Sequence, residues 1–376
     1  MDFEFTDDQL ELRDNARSVL SAACPPSVVR AEYDGGREAL GLWRTLVDLD
    51  WPALGLPEQH GGMGLGYLEV AILVEELARA TAPTPFLATI TQYAAAIQEA
   101  GSSFTLAEVA SGHCTGTLAV AEAGVWRPEA VRTTATPSAG GGWAIQGGKS
   151  HVLDGATAEE IVVVARRPGT SGDDGLGLFV VSGENVAADE IVTMDETLPL
   201  AALQLDVSVD GDRVLVEPGD PRARAVIDRT LQQATTALSL STVATSRAIF
   251  EMTLQYAKDR EQFGKPIGSF QAVKHRLADA YLAVERASAL AYFAALTIAE
   301  DDDRRAVATA MAKAAAGECQ RLVVKDGLQL HGGIGYTREH DLHFLLKRAK
   351  AGDLLFGTAA AHRVDLARLL GLEAVA

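Results

Sequence analysis

Three residues whose side chains suit an anionic, flat ligand lie close together in the second half of the chain. Arg260, Phe263 and Gln271 belong to the segment DREQFGKPIGSFQ. Its centre, FGKP, cannot continue a helix, because proline lacks the backbone N–H and crowds the preceding turn. A guanidinium pairs well with phosphate, and an aromatic ring stacks on a heterocycle. The segment is interpreted either as a ligand clasp or as a helix–helix corner with an incidental arginine.

Two glycine-rich segments could also approach a ligand. The segment QLHGGIG, residues 329–335, ends a helical pattern, and its glycines can bring backbone N–H groups close to a bound group. Alone it is an ordinary helix C-cap. Residues 51–66 are glycine-rich as well, but no strand precedes them and no Lys-Ser or Lys-Thr pair follows. A nucleotide phosphate loop is therefore not expected there.

Composition and charge narrow the function classes. The chain has 376 residues, of which 48% are hydrophobic, so it can bury a large core in two or three domains. Its formal net charge of -18 argues against nucleic-acid and anionic-membrane binding, which need a basic surface. No apolar run approaches the roughly 20 residues of a membrane span, and the acidic start does not resemble a signal peptide. A cytoplasmic location is expected.

The cysteine pattern points to reduced thiols. Cys24, Cys114 and Cys319 are odd in number and widely spaced, which fits neither a disulfide framework nor a metal-binding motif. No metal site is expected.

The elements that must position these segments follow an α, β, α order. Residues 1–113 are predicted to form an N-terminal helical domain, 114–222 a central antiparallel β domain, and 223–376 a C-terminal four-helix bundle. A capping box at residues 6–9 begins the first helix, which Pro25 and Pro26 are expected to end. Further N-terminal helices are predicted over 40–49, 67–80, 87–100 and 105–110.

The β domain is predicted from short β-rich runs that glycine-containing turns separate. These runs are 117–122, 132–136, 143–147, 161–166, 178–181, 203–207 and 213–217. The bundle is predicted from apolar positions at helical spacing. Its helices are expected over 223–260, from about 270 onward, over 305–328 and over 340–370.

Together with residues 57–64, these segments and the α, β, α order make the chain resemble the acyl-CoA dehydrogenase family over essentially its full length. The resemblance implies a tetramer or dimer of dimers that binds FAD at a subunit interface. In that family, R-x-x-F-G and Q-x-x-G-G segments contact the adenosine diphosphate half of an FAD held mainly by the neighbouring subunit. The matching residues are Arg260, Phe263, Gln271, Gln329, Gly332 and Gly333.

The resemblance also shows where a catalytic base should be. In typical members, the glutamate of an E-G-T segment removes the α-proton of an acyl-CoA thioester while hydride leaves the β-carbon for flavin N5. A carboxylate in a dry pocket suits that step, because burial raises its pKa. Phe356, in the run LLFGT, occupies this position. A minority of members place the base near the start of the first bundle helix, where this chain has Ala234.

The flavin-facing strands depart from the family pattern as well. Members show a T-E-P-G-x-G-S-D-like segment and an aromatic-I-T/S segment, which hydrogen-bond the flavin ring. The corresponding runs are AEAGVW at residues 121–126 and HVLDG at 151–155. Leu153 cannot supply the hydroxyl.

The resemblance therefore favours a catalytically degenerate subunit, similar to the non-catalytic subunits of heterotetrameric dehydrogenases that actinobacteria use on steroid side-chain CoA thioesters. The implied partners are a homologous Glu-bearing subunit, an acyl-CoA substrate and an electron-transfer flavoprotein. One alternative is a homomeric flavoenzyme whose base is Asp353, His151 or Asp154. The other is a flavin-free scaffold, against which the retained Arg260 and Gln329 segments argue.

Overall fold

The computed structural model describes residues 4–36, 38–138 and 140–372, with helices at both ends of the chain and strands between them. The N-terminal helices are α1 (Asp7–Ala23), α2 (Pro26–Tyr33), α3 (Glu38–Asp48), α4 (Tyr67–Arg79), α5 (Phe86–Ala88), α6 (Ala95–Glu99) and α7 (Leu106–Ala110). The strands are β1 (Gly116–Ala119), β2 (Thr134–Pro137), β3 (Trp143–Leu153), β4 (Glu160–Arg166), β5 (Leu176–Ser182), β6 (Ala187–Ile191), β7 (Leu200–Val209) and β8 (Val214–Val216). The chain continues through α8 (Ala223–Asp259), the short strands β9 (Glu261–Gln262) and β10 (Lys265–Pro266), α9 (Gln271–Ala299), α10 (Arg305–His331), α11 (Leu342–Leu354) and α12 (Ala359–Leu369).

The start of α1 follows its local sequence. The Thr6 hydroxyl accepts a hydrogen bond from the Gln9 N–H at 3.2 Å, and the Gln9 side chain accepts one from the Thr6 N–H at 3.1 Å. The predicted capping box is confirmed. Helix α1 ends before the two prolines as predicted, but a second helix, α2, begins directly at Pro26. Proline is well tolerated in the first helical turn, where its missing N–H would have no helical partner.

The helix predicted over 87–100 contains a π turn. Residues Thr89–Ala94, between α5 and α6, are all buried and adopt π-helical geometry. Gly116, at the start of β1, packs on this turn: a Cβ there would lie 2.2 Å from Cγ of Tyr93. Its N–H also donates to the Thr89 hydroxyl at 3.2 Å. The turn and β1 therefore fit together only because residue 116 has no side chain.

The central sheet is mixed, which corrects the predicted antiparallel arrangement. Among the described residues it has eight strands in the order β6-β7-β3-β2-β4-β5-β8, and β1 pairs with β4. The β1–β4 and β2–β4 pairs are parallel, whereas the other pairs are antiparallel. Strands β2 and β3 lie between β1 and β4 along the chain. The connection is therefore long enough to bring β4 beside β1 with both strands running in the same direction. The sequence does not predict strand β6, because AADEI is poor in strand-forming residues. Most of its residues are exposed in the structure.

Alternating buried residues from one face of this sheet form its core. Members from β3, β4, β5 and β7 include Ile145, Ile161, Phe179 and Leu203, each 0% exposed. Trp143 packs edge-on against Phe179, with ring centroids 5.9 Å apart. Burial of such side chains supplies most of the driving force for this layer.

The C-terminal helices pack through small residues and one apolar cluster. Val284 of α9, Ala316 of α10, Leu342 of α11 and Ile249 of α8 are all buried in it. Helix α9 is long and apolar enough to span a membrane by length and composition, so the expectation that no run approaches this limit is wrong for α9. Its buried residues belong to the bundle core, which accounts for the composition.

The helix predicted over 340–370 is two helices. Residues 355–358 separate α11 from α12, and Phe356 and Gly357 have φ angles of 55° and 96°. Positive φ is incompatible with a continuing right-handed helix. Thr358 then caps α12 by accepting a hydrogen bond from the Ala361 N–H.

The described chain divides into two compact units. One contains the N-terminal segment up to Glu38, Tyr67–Pro83 and the chain from Thr235 onward. The other contains Ala39–Gly66 and Thr84–Ala234. The domain limits 113/114 and 222/223 stay a prediction, although the strands lie between Gly116 and Val216.

Candidate ligand clasp and base positions

The segment after α8 forms a tight hairpin with an exposed aromatic ring at its tip. Strands β9 and β10 pair, and Phe263 and Gly264 form the turn with φ angles of 54° and 78°. Two central residues with positive φ favour Asn-Gly or Gly-Gly, so a phenylalanine is an uncommon occupant. Its side chain is 92% exposed. An unusual backbone conformation that holds an apolar ring in water is typical of a binding residue.

The polar residues around this tip are free to bind. The Arg260 N–H donates to the Tyr256 carbonyl at 2.8 Å, and the Arg260 carbonyl accepts from the Ile267 N–H at 2.8 Å. Its backbone is thus fixed, yet its exposed guanidinium has no acidic partner among the described residues. Gln271, the first residue of α9, is also exposed. The hairpin and the start of α9 thus present an exposed cation, an exposed ring and an exposed amide.

The end of α10 presents open backbone. Gln329 is exposed in its last turn, and Gly332 follows with φ 64° and ψ −141°, a conformation that essentially only glycine adopts. A Cβ at Gly332 or Gly333 would have no atom within 4 Å in the described chain. A ligand can therefore approach the backbone of both glycines closely. The Gly332 N–H already donates to the Leu328 carbonyl, so the N–H offered to a ligand is that of Gly333. The Tyr256 ring stacks on His331 at 4.5 Å, so this end of α10 lies beside the end of α8.

The two positions at which a base is expected carry no proton acceptor. Phe356 lies in the break before α12, where its carbonyl accepts a hydrogen bond from His362 Nε2 at 2.8 Å. Ala234, on α8, has only a methyl group as its side chain and is 1% exposed. A phenyl ring and a methyl group cannot remove a proton.

Asp353, a candidate relocated base, has its carboxylate fully engaged. It is 8% exposed and accepts hydrogen bonds from Gln320 Nε2 at 3.1 Å, Lys350 Nζ at 3.2 Å and the Ala359 N–H at 3.4 Å. Below it, the buried ammonium of Lys313 donates to the Gly352 carbonyl at 2.5 Å and the Asp353 carbonyl at 3.0 Å. These contacts hold the end of α11 and the start of α12 together.

The segments matched to flavin-facing strands lie in the other compact unit. Ala123 and Gly124 form a turn with φ angles of 49° and 76°. Leu153 is 4% exposed and offers no hydroxyl. His151 has φ 53° and lies 5.7 Å from the Trp126 ring, and its Nδ1 is buried without a hydrogen-bond partner in the described chain. The Asp154 carbonyl accepts the N–H groups of residues 157 and 158, which is a structural role for its backbone.

Comparison with family models identifies the protein family of this chain. Residues 6–116 match the acyl-CoA dehydrogenase N-terminal domain, and residues 224–371 match the acyl-CoA dehydrogenase C-terminal domain. The chain belongs to the acyl-CoA dehydrogenase family. The predicted fold class is confirmed, with the sheet corrected to mixed.

Individual acyl-CoA dehydrogenases match nearly the whole chain. The acyl-CoA dehydrogenase IpdE2 of Mycobacterium tuberculosis is 33% identical over 341 residues, 90% of this chain and 89% of the relative. The solved ChsE4–ChsE5 complex from Mycobacterium tuberculosis is 26% identical with a TM-score of 0.88, covering 99% of this chain and 100% of that chain. A variant of the Tcur3481–Tcur3483 steroid ACAD is 31% identical with a TM-score of 0.86, covering 97% and 98%. The predicted relation to actinobacterial steroid dehydrogenases is confirmed.

FAD is the cofactor of this family, and the clasp residues fit it. A solved FAD-dependent dehydrogenase superposes on 99% of this acyl-CoA dehydrogenase chain and all of its own, with 26% identity and a TM-score of 0.87. A diphosphate requires a cation and N–H donors. The unpaired Arg260 can provide the cation, and the open space at Gly332 and Gly333 lets the group reach the Gly333 N–H. The exposed Phe263 ring offers an apolar surface for the adenosine.

Sequence reasoning missed a buried ion pair in the acyl-CoA dehydrogenase β layer. Lys149 on β3 has a fully buried side chain, and its Nζ donates to Glu122 Oε1 at 2.7 Å. Burial lowers the pKa of Lys149 to about 8, although Glu122 opposes that shift. Glu122 also accepts the N–H groups of Arg132 and Thr133 at 2.7 and 3.0 Å. The pair anchors the 121–126 segment to β3, and only tertiary structure reveals the burial.

Proposed function

We propose that this chain is the non-catalytic subunit of a heteromeric, FAD-dependent acyl-CoA dehydrogenase and completes the FAD site of a homologous, Glu-bearing subunit. One contrast carries the proposal. Phe356 and Ala234 leave the expected base positions without a carboxylate, whereas Arg260, Phe263 and Gly333 form an exposed clasp. A chain that did no more than scaffold would have no use for that clasp.

The proposed division of labour follows from the side chains. The Arg260 guanidinium and the Gly333 N–H hold the diphosphate, and Gly332, which has no side chain, lets it approach closely. Phe263, Gln271 and Gln329 contact the adenosine half. Bound FAD would supply the hydride acceptor for the β-carbon of the thioester, and the glutamate of the partner chain would remove the α-proton. This chain supplies binding and orientation rather than proton transfer.

The substrate and partners are proposed from the relatives. The similar Tcur3481–Tcur3483 protein is a steroid ACAD, and both it and ChsE4–ChsE5 contain two kinds of chain. These likenesses support a heterotetramer that acts on an acyl-CoA, with a steroid side-chain CoA ester as the favoured substrate. An electron-transfer flavoprotein is the proposed acceptor and the cytoplasm the proposed location.

A homomeric enzyme with a relocated base is disfavoured by the surroundings of Asp353. Three donors hold its carboxylate, so little of its hydrogen-bonding capacity is left for a thioester proton. The alternative would require Asp353→Asn to abolish turnover in the purified chain without a partner. Turnover by the lone chain that this substitution removes would establish the alternative in place of our proposal.

Arg260→Ala tests the proposed clasp in the assembled complex. We expect less flavin per complex after gel filtration, because the diphosphate loses its guanidinium while the arginine removed belongs to the chain without a base. Flavin absorbance relative to protein concentration measures the effect. Arg321→Ala, which removes another exposed arginine of the same bundle, is the matched control and should keep its flavin. Equal flavin content in the Arg260 and Arg321 variants would refute the role of Arg260.

A further inference from the structure

A stack of three aromatic side chains joins the two helix ends that carry the clasp. The Tyr256 ring, in the last turn of α8, lies on the His331 ring with centroids 4.5 Å apart and an interplanar angle of 22°. His340, which follows the end of α10, packs edge-on against the His331 ring. The ring centroids are 5.1 Å apart and the interplanar angle is 71°. His331 is the central member and is 3% exposed.

One hydrogen bond fixes the orientation of the His331 ring. Its Nδ1 lies 2.8 Å from the Gly327 carbonyl, one helical turn earlier. A carbonyl can only accept, so Nδ1 carries the proton and donates. Nε2 is buried and has no hydrogen-bond partner in the described chain. Burial lowers the pKa of His331, partly offset by the Gly327 hydrogen bond and reinforced by His340. The ring is therefore neutral at pH 7.

Close packing continues directly below this stack. A Cβ at Gly327 would lie 2.8 Å from Ile249 Cγ2 and 3.2 Å from the Thr253 hydroxyl, so the backbone of α10 touches α8 there. In the neighbouring position Asp326 accepts a hydrogen bond from Arg276 of α9 at 2.7 Å. The ends of α8 and α10 cannot slide past each other without disturbing these contacts.

The clasp residues continue from the stacked residues without a flexible linker. The Arg260 N–H donates to the carbonyl of Tyr256 itself, so the arginine is the next helical turn. Gly332 and Gly333 directly follow His331. The distance between the Arg260 turn and the glycine turn is thus set through the contact between Tyr256 and His331. A diphosphate held at both ends needs that distance to be fixed before binding.

We infer that His331 is a positioning residue that fixes the Arg260 turn relative to the Gly332–Gly333 turn and thereby sets the affinity for the diphosphate half of FAD. This inference rests on the proposed function, since it assumes that the clasp binds FAD. His331 does not contact the cofactor; it acts through Tyr256 and through the backbone that leads into Gly332.

The test is a double-mutant cycle on FAD binding to the deflavinated complex of this chain with its Glu-bearing subunit. His331→Ala should raise the dissociation constant for FAD about 10-fold, the low end of what residues supporting a bound group contribute. His331→Phe keeps a ring on Tyr256 but loses the Gly327 hydrogen bond, so its effect should be smaller. The His331→Phe variant also provides the test if His331→Ala does not assemble with the Glu-bearing subunit. His343→Ala, at a half-exposed histidine outside the stack, should bind FAD normally.

The cycle separates positioning from general destabilisation. If His331 acts by placing Arg260, the effect of His331→Ala should largely disappear in an Arg260→Ala background. An equal effect in both backgrounds would overturn the inference. So would normal FAD affinity in both His331 variants when Arg260→Ala alone weakens binding, a result that leaves the proposed function intact. Unchanged affinity in Arg260→Ala itself would reject the proposed function and the inference with it.

Discussion

At the level of single residues, our proposal depends on two positions without a proton acceptor, Phe356 and Ala234, and on an exposed clasp at Arg260 and Phe263. Phe356 is the clearest case, because its backbone still makes the turn that precedes α12 while its side chain cannot accept a proton. This backbone conformation is thus supported by the His362 hydrogen bond and by the Thr358 cap.

Restoring the carboxylate should not restore a second active site. We expect Phe356→Glu in the assembled complex to leave turnover within about twofold of wild type, because Leu153 and the 121–126 segment still lack the flavin-binding hydroxyls. Acyl-CoA-dependent reduction of an artificial electron acceptor measures it. A clear gain in turnover per complex, with a second flavin bound, would show that this chain retains a flavin site of its own.

Lys313 predicts how stability changes with pH. Burial lowers its pKa to about 7, with Asp353 opposing the shift and Lys350 adding to it. An unfolded lysine stays protonated to about pH 10, so above pH 7 the unfolded chain binds more protons than the folded chain at this position. The free energy of unfolding should therefore rise with pH by up to about 1.4 kcal/mol per pH unit from Lys313 alone.

Comparison with Lys313→Met isolates this contribution. Below pH 7 the position titrates in neither state, and as the pH rises to 9 the wild type should gain stability relative to the variant. Urea unfolding followed by tryptophan fluorescence at several pH values measures the difference. Lys258→Met, at an exposed lysine of α8, should show no such trend. A difference in the free energy of unfolding between wild type and Lys313→Met that stays constant with pH would contradict the lowered pKa of Lys313.

At the level of elements, the contact between the π turn and β1 should tolerate no side chain at residue 116. Gly116→Ala would place its Cβ 2.2 Å from Cγ of the fully buried Tyr93, whose hydroxyl lies 2.7 Å from the Thr105 hydroxyl. We expect the free energy of unfolding to fall by about 1–3 kcal/mol or more. Gly211→Ala is the matched control, since a Cβ there meets no atom within 4 Å. Similar urea midpoints for the two variants would contradict this packing.

The elements that sequence predicted well depend on local signals. The capping box at Thr6 involves neighbours three residues apart, and the strand runs alternate or are continuously apolar. The parallel β1–β4 pairing could not be predicted, because it depends on which strands meet after β2 and β3 intervene.

The same limit applied to the candidate site. Motif matching identified Arg260 and Gly332, but the stack of Tyr256 on His331 joins positions on two different helices. Lys149 has the same character, because its partner Glu122 lies 27 residues away and strand alternation does not reveal its burial. Phe356 is matched to the base position by its motif alone, and its positive φ, which breaks the predicted helix, has no local signal such as proline.

At the level of the whole molecule, the account assigns this chain half of a shared site. Its clasp residues Arg260, Phe263 and Gly333 are exposed and belong to one compact unit. The negative charge of -18 makes the unpaired Arg260 a local exception rather than part of a basic surface. Such a chain is expected to function only where a second chain brings the flavin to its clasp.

Flavin stoichiometry after purification alone and with a co-expressed Glu-bearing homologue tests this central claim most directly. The account predicts that the chain alone is colourless, and that the complex is yellow and contains one FAD for each pair of unlike chains. Absorbance of the released flavin, divided by the amount of each chain, gives the ratio. Stoichiometric FAD and acyl-CoA oxidation in the lone chain would contradict the account.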